Sequence, residues 1–168
     1  EHSEGLAPLT QFPSPEDLEQ YHVVILGDVH PEARSATGRP VFYDEALSAL
    51  RAHVKDRGGG LLVISGEQAA PVEYSNTPLA DVLPVVAEPD PRPRTFQEPW
   101  RLRLTREGAS SELMRLEPDE TLNRRLWSDK LPDLYWFMRV QRAKPQAHVL
   151  AVQPTESNQH GPLPLIAW

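Results

Sequence analysis

Apolar and polar positions along the chain fall into short blocks separated by turn-forming residues. The run His22-Val23-Val24-Ile25-Leu26 is almost continuously apolar and β-branched, the pattern of a strand covered on both faces, as in parallel sheets. Ahead of it, Ser14-Pro15-Glu16-Asp17 reads as a helix start, with Ser14 as N-cap, proline in the first turn and acids at the positive end of the dipole. Between Tyr43 and Arg57, Leu47, Leu50 and Val54 recur at helical spacing, with Ala46 and Ala49 beside them and charges opposite. Lys55 and Arg57 suit the last turn of that helix, and Gly58 suits a left-handed C-cap. Leu61 to Ile64 then forms a second strand that breaks at Ser65-Gly66. Strand, helix and strand of these lengths predict a right-handed parallel crossover.

The remaining pattern is more broken. Pro78 to Leu83 predicts a short helical turn, Pro84 to Ala87 an extended edge, and the four prolines from Pro89 to Pro99 an irregular crossing. Trp100 to Leu104 alternates as a strand with one buried face. Gly108 to Leu116 and Asp119 to Trp127 predict two short helices, and Tyr135 to Val140 an aromatic-rich strand. His148 to Val152 reads as a strand of parallel type, and Leu163 to Ala167 begins another. Glu1 to Phe12 carries no periodicity and reads as a tail.

Composition narrows the chemistry. The 168 residues include 18 prolines, 9 glycines and no cysteine, which removes disulfides, thiolate catalysis and thiolate metal sites together. No window approaches the roughly 18 apolar residues of a membrane span, so no membrane contact is expected of this segment itself. Residues 1–91 carry 5 Lys and Arg against 15 Asp and Glu, whereas residues 92–168 carry 12 against 9. An acidic chain without a dense basic cluster is a poor match for nucleic acid.

The order of motifs adds a family. Tyr21 to Val29, a helix closing in Gly58-Gly59-Gly60-Leu61-Leu62, and Tyr74-x-x-Thr77-Pro78-Leu79-x-Asp81-x-Leu83-Pro84-Val85 resemble the class I glutamine amidotransferase-like domains. The variant they resemble is the one carried by large bacterial membrane proteins, often beside von Willebrand factor A-type domains. Trp100 to Gly108 and the Lys144-Pro145-x-Ala147-x-Val149-Leu150-Ala151 segment continue the match, which covers most of residues 13–167. The resemblance implies a flavodoxin-like three-layer α/β sandwich with a mostly parallel central sheet, forming one domain over residues 13–168. It also implies a fragment truncated at both ends, belonging to a membrane-anchored bacterial protein. An apolar sheet edge left by truncation would be open to pairing with a second copy.

Candidate sites follow from the strand ends, where open α/β sheets bind ligands. Ser65 occupies the elbow where active amidotransferases place cysteine, but a serine needs a base, and Glu67 stands where the elbow wants a small glycine. His30-Pro31-Glu32 has the look of the amidotransferase His-x-Glu pair, yet it precedes the elbow instead of following it. Asp28 and Glu67 both leave strand ends and are candidates for a carboxylate pair, with capping and solvent exposure as the plainer roles. His148 and His160 lack ligand spacing, and the Gly58–Gly60 triple precedes a strand, which makes it a helix stop and not a phosphate cradle. Trp127, Tyr135, Trp136 and Phe137 suit either stacking or core packing, and Arg101 with Arg103 either an anion strip or ion pairs.

These readings converge on a non-catalytic amidotransferase-like domain serving as an interaction or ligand-sensing module, with no cofactor and no metal. Its partner is an unidentified protein or small ligand, and its binding crevice is bounded by Gly27, Asp28, Ser65, Gly66 and Glu67. A serine hydrolase using Ser65 and a carbohydrate-binding domain are the alternatives.

Overall fold

The computed structural model describes residues 11–89 and 92–168. The chain divides between Val82 and Leu83 into two compact units.

In the first unit, helix α1 (Pro15–Leu18) starts as expected. The Ser14 hydroxyl accepts from the Asp17 amide at 3.1 Å while the Asp17 carboxylate accepts from the Ser14 amide at 3.3 Å. Such a reciprocal box satisfies two amides the helix cannot, an effect worth about 1 kcal/mol. Strand β1 (Val23–Leu26), helix α2 (Ala46–Lys55) and strand β2 (Gly60–Val63) form the crossover, with the strands parallel and Val23 to Leu26 opposite Gly60 to Val63. Helix α2 starts later than its pattern suggests, and its deepest positions are Ala46, Leu50 and His53. The His53 ring is buried with neither nitrogen hydrogen-bonded. A Cβ at Gly59 would stand 2.0 Å from its Nε2, so the second glycine of the triple makes room for the imidazole. Gly58 supplies the left-handed turn at φ 74°.

Two expectations for this unit change. The sheet is covered on one side only, because Val23, Ile25, Leu62 and Ile64 alternate onto an exposed face. The tail expected over Glu1 to Phe12 lies outside the described residues for its first ten positions. Phe12 itself is ordered by packing: its amide donates to Val41 at 2.7 Å and its ring lies 5.2 Å from that of Phe42.

The second unit holds β3 (Val85–Ala87), β4 (Pro93–Trp100), β5 (Arg103–Leu104), helix α3 (Arg106–Ser110), helix α4 (Glu120–Arg125), β6 (Leu134–Met138), β7 (Val140–Ala143), β8 (Val149–Asn158) and β9 (Gly161–Ala167). A 3-10 turn (Glu112–Met114) follows α3, and α4 continues as a π-helical turn (Leu126–Lys130). Strand β3 pairs with β7, β4 with β6, and β8 lies between β5 and β9. Every one of these pairs is antiparallel.

The flavodoxin-like sandwich with a mostly parallel sheet is therefore corrected: the described residues form small, mainly antiparallel sheets and one parallel pair. For β8 and β9 the reason is connection length. Parallel neighbours need a crossover of about a dozen residues, but only Gln159 and His160 separate the closing pair Asn158 and Gly161. The apolar run at Leu150 to Val152 is buried because helix α3 and its neighbours cover it, not because the strand is parallel. The proline-rich crossing also changes. Strand β4 pairs at Pro93, Arg94 and Thr95 and again at Trp100, and Pro99 sits in the unpaired stretch between, where a missing N–H costs nothing. Asp90 and Pro91 of that crossing lie outside the described residues.

The core here is Met114, Leu150 and Ala151, flanked by Leu102, Leu104, Trp127 and Ile166. Helix α3 approaches β8 so closely that a Cβ at Gly108 would fall 1.9 Å from the Leu150 carbonyl oxygen. Asn123, buried, accepts from the Leu116 amide at 2.8 Å and donates to the Met114 carbonyl at 3.2 Å, holding the turn between the helices. Because the obstacle at position 108 is backbone, Gly108→Ala is expected to lower stability by about 2 kcal/mol or more. Gly38, whose Cβ direction is open, serves as the comparison: Gly38→Asn is expected to have the smaller effect on the urea midpoint.

Candidate functional site

The strand-end residues do come together, but in a closed arrangement. From the end of β1, Asp28 crosses to the loop after β2 and accepts three consecutive amides: Gln68 at 2.8 Å, Ala69 at 2.7 Å and Ala70 at 2.8 Å. Successive amides turned toward one point form an anion-binding nest, and its occupant is the chain's own carboxylate. Burial by itself would raise the Asp28 carboxyl, but the amides of Ala70, Gln68 and Ala69 outweigh it and hold the group below its ordinary value. Gly66 is required beside it, since a Cβ there would stand 2.1 Å from the Asp28 carboxyl.

Ser65 is exposed, and its hydroxyl donates to the Ala70 carbonyl at 2.9 Å. The Gly66 amide donates to the same oxygen at 3.3 Å, so the loop from Ser65 to Ala70 is closed on itself as well as on Asp28. Among the described residues no imidazole bonds to Ser65. His30 instead accepts the Glu32 amide at 3.0 Å and lies 3.6 Å from the Glu73 carboxylate, so the His-x-Glu look of His30 and Glu32 does not correspond to a side-chain pair. Glu67 is exposed and Gly27 half-buried. Asp28 and Glu67 thus do not act as a pair, because one carboxylate is fully engaged by backbone. Among the described residues no group of three His, Asp or Glu is arranged to hold a metal ion.

Tyr74 completes the assembly. It is fully buried, and its hydroxyl donates to the Val29 carbonyl, one residue past Asp28. Burial, then the Asp28 charge, pushes its phenol up to about 12, so it remains a donor through neutral pH. Nothing in the local pattern marked Tyr74 as part of this site; its only signal was the Tyr74-x-x-Thr77-Pro78 segment of the family motif.

The other candidates lie in the second unit. Arg101 is ion-paired to Asp133 at 2.6 Å. Trp127 donates to the Met114 carbonyl at 2.8 Å and packs on the core, while Phe137 is buried and stacks on Phe96 at 6.0 Å. Trp136 is half-buried and only Tyr135 is exposed, so these aromatics chiefly build the interior. His148 is hydrogen-bonded to Glu107, with its ring 5.9 Å from that of Trp168. The nearby Thr105 hydroxyl is committed to the Val149 carbonyl at 2.6 Å. His160 lines a cavity of about 450 Å³ together with Arg142, which no sequence signal singled out. No family model and no curated protein matches the chain.

The Asp28 latch carries a pH dependence. Its carboxyl is held below an unfolded value of about 3.9, so it adds stability that is complete above that pH and is lost as pH falls through the lower, folded value. Asp28→Asn is expected to cost about 1–2 kcal/mol at pH 7, the lower end of the range because the group is only half-buried. Urea midpoints of the two proteins should converge as pH drops toward 3. Equal midpoints at pH 7 would remove Asp28 from this role.

Proposed function

We propose that the chain is a non-catalytic binding module of the class I glutamine amidotransferase-like type, working within a larger bacterial protein. One observation carries the reading: three consecutive amides of the loop after Ser65, donors of the kind an oxyanion would need, are taken by Asp28. The residue at the elbow is a serine whose hydroxyl serves the loop backbone, and among the described residues no base touches it. A nucleophile without a base and a donor set without a vacancy leave no route to acyl transfer at this point.

Two features support an interaction role. Ile25 and Ile64, 64% and 53% exposed, belong to an apolar face of a parallel pair, and such strands are ordinarily buried on both faces. Among the described residues each strand of that pair also keeps one unpaired edge, the element through which a second copy would add to the sheet.

Incubation with glutamine is expected to release no ammonia above a buffer control, and measurable glutaminase activity would overturn the assignment. A fluorophosphonate probe should leave the chain unlabelled; labelling that disappears in Ser65→Ala would establish a serine hydrolase instead. Sedimentation equilibrium tests the self-pairing: a concentration-dependent dimer weakened by Ile25→Lys is the expected result, and a monomer at all concentrations the contrary one.

A further inference from the structure

The cavity in the second unit differs in kind from the strand-end loop. About 450 Å³ in volume, it is within the range of small-molecule sites. Its polar lining is Arg142, Gln141, Asn158, His160 and Thr105, and valine, alanine and proline side chains of β7, β8 and β9 make the rest. Among the described residues no carboxylate lines it, and the one permanent charge in the wall is the Arg142 guanidinium.

Four arginines among the described residues are half-buried, and three of them lie against a carboxylate: Arg51 at 2.8 Å, Arg101 at 2.6 Å and Arg139 at 3.7 Å. Arg142 is half-buried, and its one hydrogen bond is a long one, 3.4 Å, to the Ala143 carbonyl. Among the described residues it has no acidic partner. A guanidinium withdrawn partly from water without a counter-charge retains most of its five donors for an incoming anion.

The neighbouring groups divide into scaffold and free donors. Asn158 is used by the fold: its amide donates to the Gln141 carbonyl at 2.7 Å and its oxygen accepts from the His160 amide at 2.8 Å. That pair of bonds fixes the β8–β9 turn against β7, so the cavity is shaped by a tied hairpin. The Gln141 side chain makes no hydrogen bond among the described residues, and the His160 ring is exposed with only Gln159 near it, at 3.3 Å. The groups left for a ligand are thus one cation and neutral donors, beside an apolar wall.

From this juxtaposition we infer that the second unit binds a small organic carboxylate, its carboxylate on the Arg142 fork and its apolar body against the valine and proline wall. A single guanidinium balances a monoanion, and its planar fork matches a carboxylate through two parallel hydrogen bonds. The inference stands on the second unit alone and is independent of the assignment of the first.

Phenylacetate is a suitable probe, added to the full chain and followed through amide shifts in two-dimensional NMR. Saturable shifts are expected in β7 and at the β8–β9 turn. Phenylacetamide, the uncharged counterpart, should give none. Arg142→Gln should weaken binding about tenfold or more, Arg142→Lys less, and Arg124→Gln, on the exposed side of α4, not at all. The spectra themselves report whether each variant is folded. Absence of shifts at those amides up to concentrations on the order of 10 mM would overturn the proposal, as would binding that survives Arg142→Gln. Phenyl phosphate is the second arm, and tighter binding of it than of phenylacetate would overturn the carboxylate class.

Discussion

The first unit is organised around one carboxylate. A loop leaving the end of a strand has amides with no ladder to join, and at Gln68, Ala69 and Ala70 these amides are directed at Asp28 from the end of the neighbouring strand. Several other features are consequences. Gly66 must lack a side chain to let the carboxyl in, the Ser65 hydroxyl is turned onto the Ala70 carbonyl, and Tyr74 secures Val29 from beneath. A charged acceptor bound to three amides is a stronger link than neutral hydrogen bonds. It also occupies the amides of residues 68–70, so these donors face the chain's own carboxylate.

In the second unit, side-chain amides take the corresponding role at three places where regular pairing stops. Asn123 satisfies the turn between the helices, and Asn158 ties the hairpin to β7. Gln153, buried, accepts the Thr155 and Glu156 amides at the bulge where β8 loses register with β9. Prolines create much of this need. Pro99 stands in an unpaired stretch of β4, and Pro154 lies within the register shift of β8, each lacking the N–H a ladder would use. Buried carboxamides carry both donor and acceptor, which suits them to backbone left unpaired on either account.

Legibility in the sequence followed the range of the interactions. The Ser14 cap, the helix stop at Gly58 and the β1–α2–β2 crossover depend on residues close together in the chain, and each is where the pattern put it. The burial of α2 is less legible, because Leu47 and Val54 are only half-buried while His53, which the apolar pattern did not include, takes a deep position. A glycine missing its side chain at position 59 allows this, and no periodicity encodes such a gap. At the strand ends, the sequence placed Asp28, Ser65 and Gly66 in one neighbourhood, but it did not show that the amides of residues 68–70 close on Asp28.

What the sequence determined by itself is chemical inventory and local geometry: no thiol, a serine after the second strand, the helix start at Ser14, and the parallel pairing of β1 with β2. Strand direction elsewhere, the covering of one sheet face but not the other, and the lack of an acidic partner for the half-buried Arg142 among the described residues were decided only in three dimensions. An apolar run records that a strand is buried, and burial comes equally from helices on a parallel sheet or from helices packed on an antiparallel one. A charge likewise records that it exists, while its having or lacking a counter-ion depends on residues far away in the chain.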